Sequence, residues 1–413
     1  MRLLSSSVTV SSWAMRCLEI GSRLRLARES IGMSGRKTSQ AAGLSIETAH
    51  SIESTGRMPG IDTVERLASV LRVSPSWLAF GTDPMRRVMN YRWAPGHSAL
   101  GAARELEAII RGEGGKIDHS FLYFDPAGAA LYEEVSRVPE PRPLAEAAVE
   151  ILSQFKEPLS VVALGSGMAH IETTLVECLV RPESSPDLDG EPAIDLFLVD
   201  SSACLLGEGH RHAAQRLACH SVPVVAIEGD FRKLPTFSEM FAPRGPRRKL
   251  FVLLGYTIGN LDNELSFLRE SLLCATRGDL MLFDFGTQID KSKNPGSALK
   301  SEPGAKVIQA GGTVTNNKWL AFLAGPVSRV YGEHGLQVGL RHVPESGVIP
   351  NSHSVEFWVK TPDGKQFVTC GWRRYDPESM AAAFARFGWR LVKMWPFGQQ
   401  RPSSLALFQR VSS

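Results

Sequence analysis

Four short apolar runs constrain the fold most, because each leads to residues suited to holding a ligand. Leu159–Leu164 passes into Gly165-Ser166-Gly167 and then a helical segment, Ile171–Cys178. Asp195–Val199 ends in Asp200, and Pro223–Ile227 leads to Gly229-Asp230-Phe231. Lys249–Leu254 runs into Gly255-Tyr256-Thr257-Ile258-Gly259-Asn260. A helix at Glu264–Ala275 then separates this run from a fifth, Asp279–Asp284. Strand, glycine turn, helix is the opening of a doubly wound α/β sheet, whose ligands sit at the carboxyl ends of its parallel strands. One such strand end is common. Four in this order predict that Gly165, Gly167, Asp200, Asp230 and Asn260 converge on one site.

The residue types specify a nucleoside better than a dinucleotide. Glycines at 165 and 167 permit a tight turn and close approach of backbone to ligand. Asp200 suits a pair of ribose hydroxyls, and it equally suits the N-cap of the following helix. Asp230 suits an adenine amino group, with Phe231 over the ring. The third glycine of the Gly-x-Gly-x-x-Gly fingerprint is replaced by His170, which argues against NAD(P). No Gly-x-Ser-x-Gly elbow or phosphate loop is present. The ten histidines are scattered without ligand spacing, so no metal is expected. Most of the Trp and Phe residues between 319 and 395 read as core; Trp358 or Trp372 would suit an apolar pocket wall.

With 413 residues, two or three domains are expected. No apolar run approaches the ~18 residues of a membrane span. The net charge of +3 is too small to imply a nucleic-acid partner by itself. Six cysteines, none in a Cys-x-x-Cys pair, suit reduced thiols and a cytoplasmic location. Residues 1–19 read as a disordered tail.

Residues 20–82 read as a domain of short helices. Ile20, Leu24 and Ala27 share one helical face, and Val64, Leu67 and Leu71 share another, with Trp77, Leu78 and Phe80 closing the core. Ser45 is expected to cap a helix over Ile46–Ser54. The stretches Arg23-Leu24-Arg25, Gln40-Ala41-Ala42-Gly43-Leu44-Ser45 and Ile52-Glu53-x-x-Gly56-Arg57-x-Pro59 resemble the phage-repressor (XRE, Cro/C1) helix-turn-helix family. That resemblance implies duplex DNA as a partner, touched by Arg36, Lys37, Ser45, Thr48, His50 and Arg57. The presumed recognition helix lacks Arg and Lys, and Glu47 repels phosphate. DNA binding and a helical dimerisation or docking role therefore both stay open, and a homodimer fits either. Residues 83–115 read as a connector around a short helical stretch, Ala99–Arg111.

From 116 onward the chain resembles the ergothioneine-pathway histidine Nα-methyltransferases, a class I S-adenosylmethionine-dependent family. The resemblance rests on Tyr123-Phe124-Asp125-x-x-Gly128-x-x-Leu131-Tyr132-Glu133, Pro139-Glu140, Leu164-Gly165-Ser166-Gly167 and Val199-Asp200-Ser201-Ser202. It continues in Gly229-Asp230-Phe231, Gly255-x-Thr257-Ile258-Gly259-Asn260 and Arg374-Tyr375-x-Pro377-Glu378. It implies a Rossmann-like core over 151–290 and 376–413, closed by antiparallel strands at Trp389–Trp395 and Ser404–Arg410, and a substrate subdomain over 116–150 and 291–375. It implies S-adenosylmethionine held by Gly165, Ser166, Gly167, Asp200, Ser201, Asp230 and Phe231. An amine substrate would lie at Asn260, Tyr256, Phe124, Cys370 and Trp372.

Three departures separate the chain from that family. The family lysine that would pair with the cosubstrate carboxylate falls on Ile171, with His170 as a substitute. A tyrosine pair becomes Pro141-Arg142. The Glu-x-Ser that reads the imidazole falls on Cys370 and Trp372. The expectation is an N-methyltransferase acting on an amino acid or related amine with an altered pocket. The rival is a DNA-binding regulator whose methyltransferase-like domain senses a nucleoside or metabolite.

Overall fold

The computed structural model describes residues 20–29, 32–56, 59–71, 73, 78–79, 91–95, 97, 99–135, 142–155, 157–180, 194–220, 222–242, 247–287, 317–344, 347–398 and 402–412. The expected tail, Arg57, Trp77, Phe80 and Pro141 lie outside these residues, as does the side chain of Arg142. The chain divides into two compact units, Met1–Tyr91 and Arg92–Ser413.

Among the described residues the first unit packs the helices α1 (Ile20–Glu29), α2 (Gly35–Ala41), α3 (Thr48–Thr55) and α4 (Ile61–Leu71). Their apolar stripes meet in one core of Ile20, Leu24, Ala27, Ala49, Ile52, Leu67 and Leu71. Gly21 lets α1 and α3 touch, since a Cβ there would lie 2.6 Å from the Ile52 carbonyl oxygen. Ser34 caps α2 by accepting from the Lys37 N–H. Ser45 does not cap α3, which begins later, at Thr48. The Ala49 N–H is instead taken by Ser39 Oγ of α2 at 2.9 Å, so a tertiary contact replaces the local cap.

In the second unit the sheet carries strands β1 (Tyr91–Trp93), β2 (Gly115–Lys116), β3 (Leu159–Leu164), β4 (Ile194–Asp200), β5 (Val224–Glu228) and β6 (Arg248–Leu253). It continues with β7 (Leu280–Thr287), β8 (Gln337–Val343), β9 (His353–Lys360), β10 (Gln366–Tyr375), β11 (Trp389–Phe397) and β12 (Ser403–Arg410). Strands β5, β4, β3, β6 and β7 lie side by side and parallel in that order. β12 then pairs antiparallel with β7 and β11 with β12, as expected for the closing hairpin. β3 and β4 are buried along their whole length, which is why they read as predominantly apolar runs.

Among the described residues the helices of this unit are α5 (Ala99–Arg111), α6 (Pro126–Val135), α7 (Arg142–Gln154), α8 (His170–Leu179), α9 (Ala203–Arg216), α10 (Glu264–Glu270), α11 (Lys318–Tyr331) and α12 (Pro377–Arg386). A second core gathers Leu106, Ile110, Phe121, Leu323, Phe357 and Phe367, away from the main sheet's core. It covers an antiparallel meander of β8, β9 and β10. Leu106 and Ile110 of α5 are buried in this core, so the described part of the stretch read as a connector is a constituent of the second unit. Their spacing of four places both on one helical face, a signal the surrounding glycines obscured. Among the described residues, no helix is long and apolar enough to cross a membrane.

Candidate active site

The glycine turn is held by the end of the neighbouring strand β4. The Gly165 and Ser166 N–H groups donate to the Val199 carbonyl oxygen at 2.8 and 3.1 Å. Gly165 (φ +64°) and Gly167 (φ +49°) adopt the left-handed region that glycine tolerates, and Ala169 (φ 55°) joins them. A Cβ on Gly165 would meet the Phe231 ring at 3.3 Å. Asp200 Oδ2 accepts from the Gly167 N–H and Oδ1 from the Ser202 N–H, both at 2.8 Å. A carboxylate has about four acceptor positions, so Asp200 clamps the loop and still has capacity for two hydroxyls. Burial raises its pKa, offset by these N–H donors. The cap of α9 belongs to Ser202, whose Oγ accepts from Leu205, rather than to Asp200.

Asp230 is more heavily engaged. It accepts from the Arg232 N–H at 2.9 Å and from the same residue's guanidinium at 2.8 and 2.9 Å. Arg232 also pairs with Asp118. This bridge lies where two cavities adjoin. The first, about 170 Å³, is lined by the turn Gly165–Glu172 with Asp200, Phe231, Tyr123, Tyr132 and Asn260. The second, about 350 Å³, shares Asp118, Ser120, Ser201, Asp230 and Arg232 with it.

Two buried polar atoms on the first cavity's wall have no hydrogen-bond partner, Ser166 Oγ and Asn260 Oδ1. Such atoms are costly unless a ligand or water satisfies them. The turn carrying Asn260 is fixed from both sides by β10. Tyr375 donates its hydroxyl to the Ile258 carbonyl at 3.2 Å, and Arg373 donates to that of Leu261 at 3.2 Å. Both also bind the fully buried Glu264. Gly259 is needed there because a Cβ would lie 2.8 Å from the Arg373 carbonyl oxygen.

The remaining wall carries groups that the motif reading quoted without a role or passed over. Tyr123 and Tyr132 meet edge to face, with centroids 4.9 Å apart. Burial raises both phenol pKa values, that of Tyr132 to about 12, so both stay protonated. His119 Nε2 lies 3.4 Å from the Tyr123 hydroxyl, and burial pushes its pKa down to about 4. Burial, with smaller contributions from Asp284 and Asp200, raises Glu172 to about 8. Asp284, also buried, is raised to about 7 despite N–H bonds from Tyr256 and Gly255. Glu172 shares the buried face of its helix with Leu175, Val176 and Leu179, and a polar residue on that stripe is the signal that could have found it.

These carboxyls make stability pH-dependent. The folded state keeps the Glu172 and Asp284 protons to about 8 and 7, whereas in the unfolded chain they leave near pH 4. The resulting stabilisation is full below about pH 4 and is lost as pH rises toward 8. The ligand-free protein should therefore melt at lower temperature at pH 8.5 than at pH 6, and Glu172→Gln should reduce the difference. A wild-type melting temperature that rises over this interval would contradict the burial argument.

Of the expected site residues, Gly165, Ser166, Gly167, Asp200, Ser201, Asp230, Phe231 and Asn260 line the first cavity, and four stand back from it. Tyr256 has φ 61°, which turns its side chain to Ser403 Oγ at 3.1 Å and onto Phe397. Phe124 lines the second cavity. Cys370 is buried in the core of the β10 meander, and Trp372, two residues along the same strand face, packs against that core. Trp358 is half-buried on the meander, where its ring covers Gly339.

In the first unit Arg36, Lys37, Ser45 and His50 are exposed, while Thr48 is half-buried. Arg25 and Arg28, by contrast, are committed to Glu53 of α3. Among the described residues no group of His, Cys, Asp and Glu could hold a metal ion.

An adenosyl cosubstrate fits the first cavity. Glycine at 165 keeps open the space a Cβ would fill, Asp200 retains acceptor capacity, Phe231 offers an apolar face, and Ser166 Oγ lacks a partner.

Comparison with known proteins returned two family models. Residues 24–78 match a helix-turn-helix model, and residues 103–295 match that of the S-adenosylmethionine-dependent, histidine-specific methyltransferases. No curated protein matches the chain. Similar solved structures include an S-adenosylmethionine-dependent methyltransferase from Clostridium acetobutylicum ATCC 824, at 12% identity and TM-score 0.37, covering 69% of this chain and 98% of that one. The CcbJ methyltransferase from Streptomyces caelestis shares 14% identity at TM-score 0.39, covering 72% and 100%. Magnesium protoporphyrin IX methyltransferase from Synechocystis PCC 6803, with bound S-adenosylhomocysteine, shares 11% at TM-score 0.39, covering 71% and 100%. The strand-end residues around the cavity fall within the span matched by the S-adenosylmethionine-dependent, histidine-specific methyltransferase model, and the N-terminal helices within the span matched by the helix-turn-helix model.

Proposed function

We propose that the enzyme methylates the amine of an amino acid or a related small molecule other than free histidine. The observation that carries this reading is the unpartnered amide oxygen of Asn260, buried in the cavity that Asp200 and the glycine turn also line. On this reading Gly165, Ser166, Gly167, Asp200, Ser201, Asp230 and Phe231 bind the cosubstrate, and Asn260 binds the amino-acid head group of the acceptor. S-Adenosylmethionine supplies a methyl on a sulfonium sulfur, which an amine lone pair displaces in line. The protein's part is to align the amine and exclude water, and such positioning supplies most of the rate. The amine must reach the methyl unprotonated. Glu172, with a pKa near 8, is the cavity carboxyl suited to take its proton.

The positions expected to read an imidazole hold Cys370 and Trp372, both set back from the cavity. Tyr123 and Tyr132 stand on its wall, and two neutral phenols favour an acceptor with an aromatic or aliphatic side chain. A competition assay offering histidine beside aromatic and aliphatic amino acids, with products followed by mass spectrometry, tests this. Methylation of one of the latter is expected. Efficient methylation of histidine at the expense of all others would restore the plain family activity.

A second reading concerns the first unit. Arg36 and Lys37 are exposed at the start of α2, and no ion-pair partner is found for either among the described residues. This favours contact with DNA phosphates, with Ser45, Thr48, His50 and Arg57 nearby in sequence. Because the recognition helix lacks Arg and Lys, binding should be weak unless two copies combine, and should fall steeply with salt. Arg36→Ala should lower the salt slope by about one. Tight, nearly salt-independent binding by a monomer would contradict this.

A further inference from the structure

The second cavity, about 350 Å³, has no part in the reading above. Ser201 and Asp230 line both cavities. Both are read as binding the cosubstrate, Asp230 through the adenine amino group, so the second cavity opens beside the base and not beside the methyl. Ala94, Ala102, Phe121, Phe124 and Phe237 give it an apolar wall. Its charged residues Glu105 and Lys233 are exposed and stay solvated whatever fills the space.

The space is built by the segment that follows β1. The Ala94 N–H donates to the carbonyl oxygen of Glu228, the last residue of β5, at 2.8 Å. A Cβ on Gly229 would lie 2.5 Å from the Ala94 Cβ, so glycine lets this segment close against the strand end beside Asp230. His97, on the same wall, is paired with Glu228 at 3.5 Å. Phe121 and Phe237 are buried, and Phe121 meets Phe124 edge to face with centroids 6.2 Å apart. The apolar wall is therefore fixed by packing before any ligand arrives.

The bonding of Asp230 determines how a ligand can reach that space. A carboxylate has about four acceptor positions. Arg232 fills three of them: its backbone N–H and Nε donate to Oδ1, and Nη2 donates to Oδ2. One position is left, whereas an adenine amino group carries two N–H donors. Asp230 can satisfy one of these, and the other can be replaced by a substituent without loss of that contact.

We propose that the second cavity is a subsite for a substituent on the adenine amino nitrogen, N6, and that the protein takes N6-substituted adenosyl ligands, with an aromatic substituent preferred. This rests on the cosubstrate reading above. A ring that leaves water for Phe121, Phe124 and Phe237 gains apolar burial and aromatic contacts. A second substituent on the same nitrogen removes the last N–H, and with it the bond to Asp230.

The experiment is calorimetric titration of the full chain with S-adenosylhomocysteine, adenosine, and adenosines carrying N6-benzyl, N6-methyl or N6,N6-dimethyl groups. N6-Benzyladenosine should bind at least about tenfold more tightly than adenosine, from burial of one aromatic ring, and should compete with S-adenosylhomocysteine. The dimethyl form should bind about tenfold more weakly than the monomethyl form, from loss of one charge-assisted bond. Ala102→Phe fills the cavity and should abolish the benzyl gain while leaving adenosine binding unchanged, which also verifies folding. Thr236→Phe fills it from another element and serves where Ala102→Phe does not fold. Wild type that binds adenosine at least as tightly as N6-benzyladenosine would overturn the proposal. So would a benzyl gain kept in full by the folded cavity-filled variant, or equal affinity for the monomethyl and dimethyl forms. Failure to bind S-adenosylhomocysteine or any of the adenosines would instead overturn the cosubstrate reading, and the subsite with it.

Discussion

Asp200→Ala is expected to weaken S-adenosylhomocysteine binding by at least about a hundredfold, since two charge-assisted hydrogen bonds to ribose hydroxyls contribute roughly 1.5–3 kcal/mol each. The same change releases the Gly167 and Ser202 N–H groups, so the glycine turn loses its clamp as well. Asp200→Asn separates the two effects. Its amide keeps one acceptor oxygen, but its NH₂ faces a backbone donor, so it should fall between wild type and alanine. Folded protein is verified by circular dichroism. Affinity unchanged in folded Asp200→Ala protein would remove Asp200 from the site.

The second large effect is on stability. Glu264 is fully buried, and Arg373 and the Tyr375 hydroxyl both bind its carboxylate. Arg373→Leu leaves that charge without its counter-ion, and breaking a buried pair this way costs about 3–5 kcal/mol. Chemical denaturation should show a loss of that size, far above the change for an exposed pair such as Arg269–Glu270. The same variant frees the Leu261 carbonyl and loosens the turn that carries Asn260, so acceptor KM should rise more than that of the cosubstrate. A loss under about 1 kcal/mol would mean that water or a rearranged partner satisfies Glu264.

Strands β3 to β7 and the residues at their carboxyl ends were legible in the sequence because each strand carries a mostly buried apolar run bounded by turn chemistry. Gly165, Asp200 and Asn260 could be assigned to one edge before any coordinates. The acceptor side was not legible in the same way. Tyr123, Tyr132, His119 and Glu172 come from one 3-10 turn and two helices, where sequence spacing gives no sign that a polar member, even one on a buried stripe, faces a cavity. Tyr256 was misread because a left-handed φ at a non-glycine residue reverses the direction of its side chain. Cys370 and Trp372 were misread because strand alternation gives a face, and only tertiary packing shows which core that face meets.

A crystal structure of the full chain grown with S-adenosylhomocysteine would test the central claim most directly. Both ribose hydroxyls should lie about 3 Å from the Asp200 carboxylate oxygens, with adenine against Phe231 and the homocysteine end reaching Ser166 and the first turn of α8. Nucleoside density anywhere but the cavity between Gly165, Asp200 and Asn260 would contradict it.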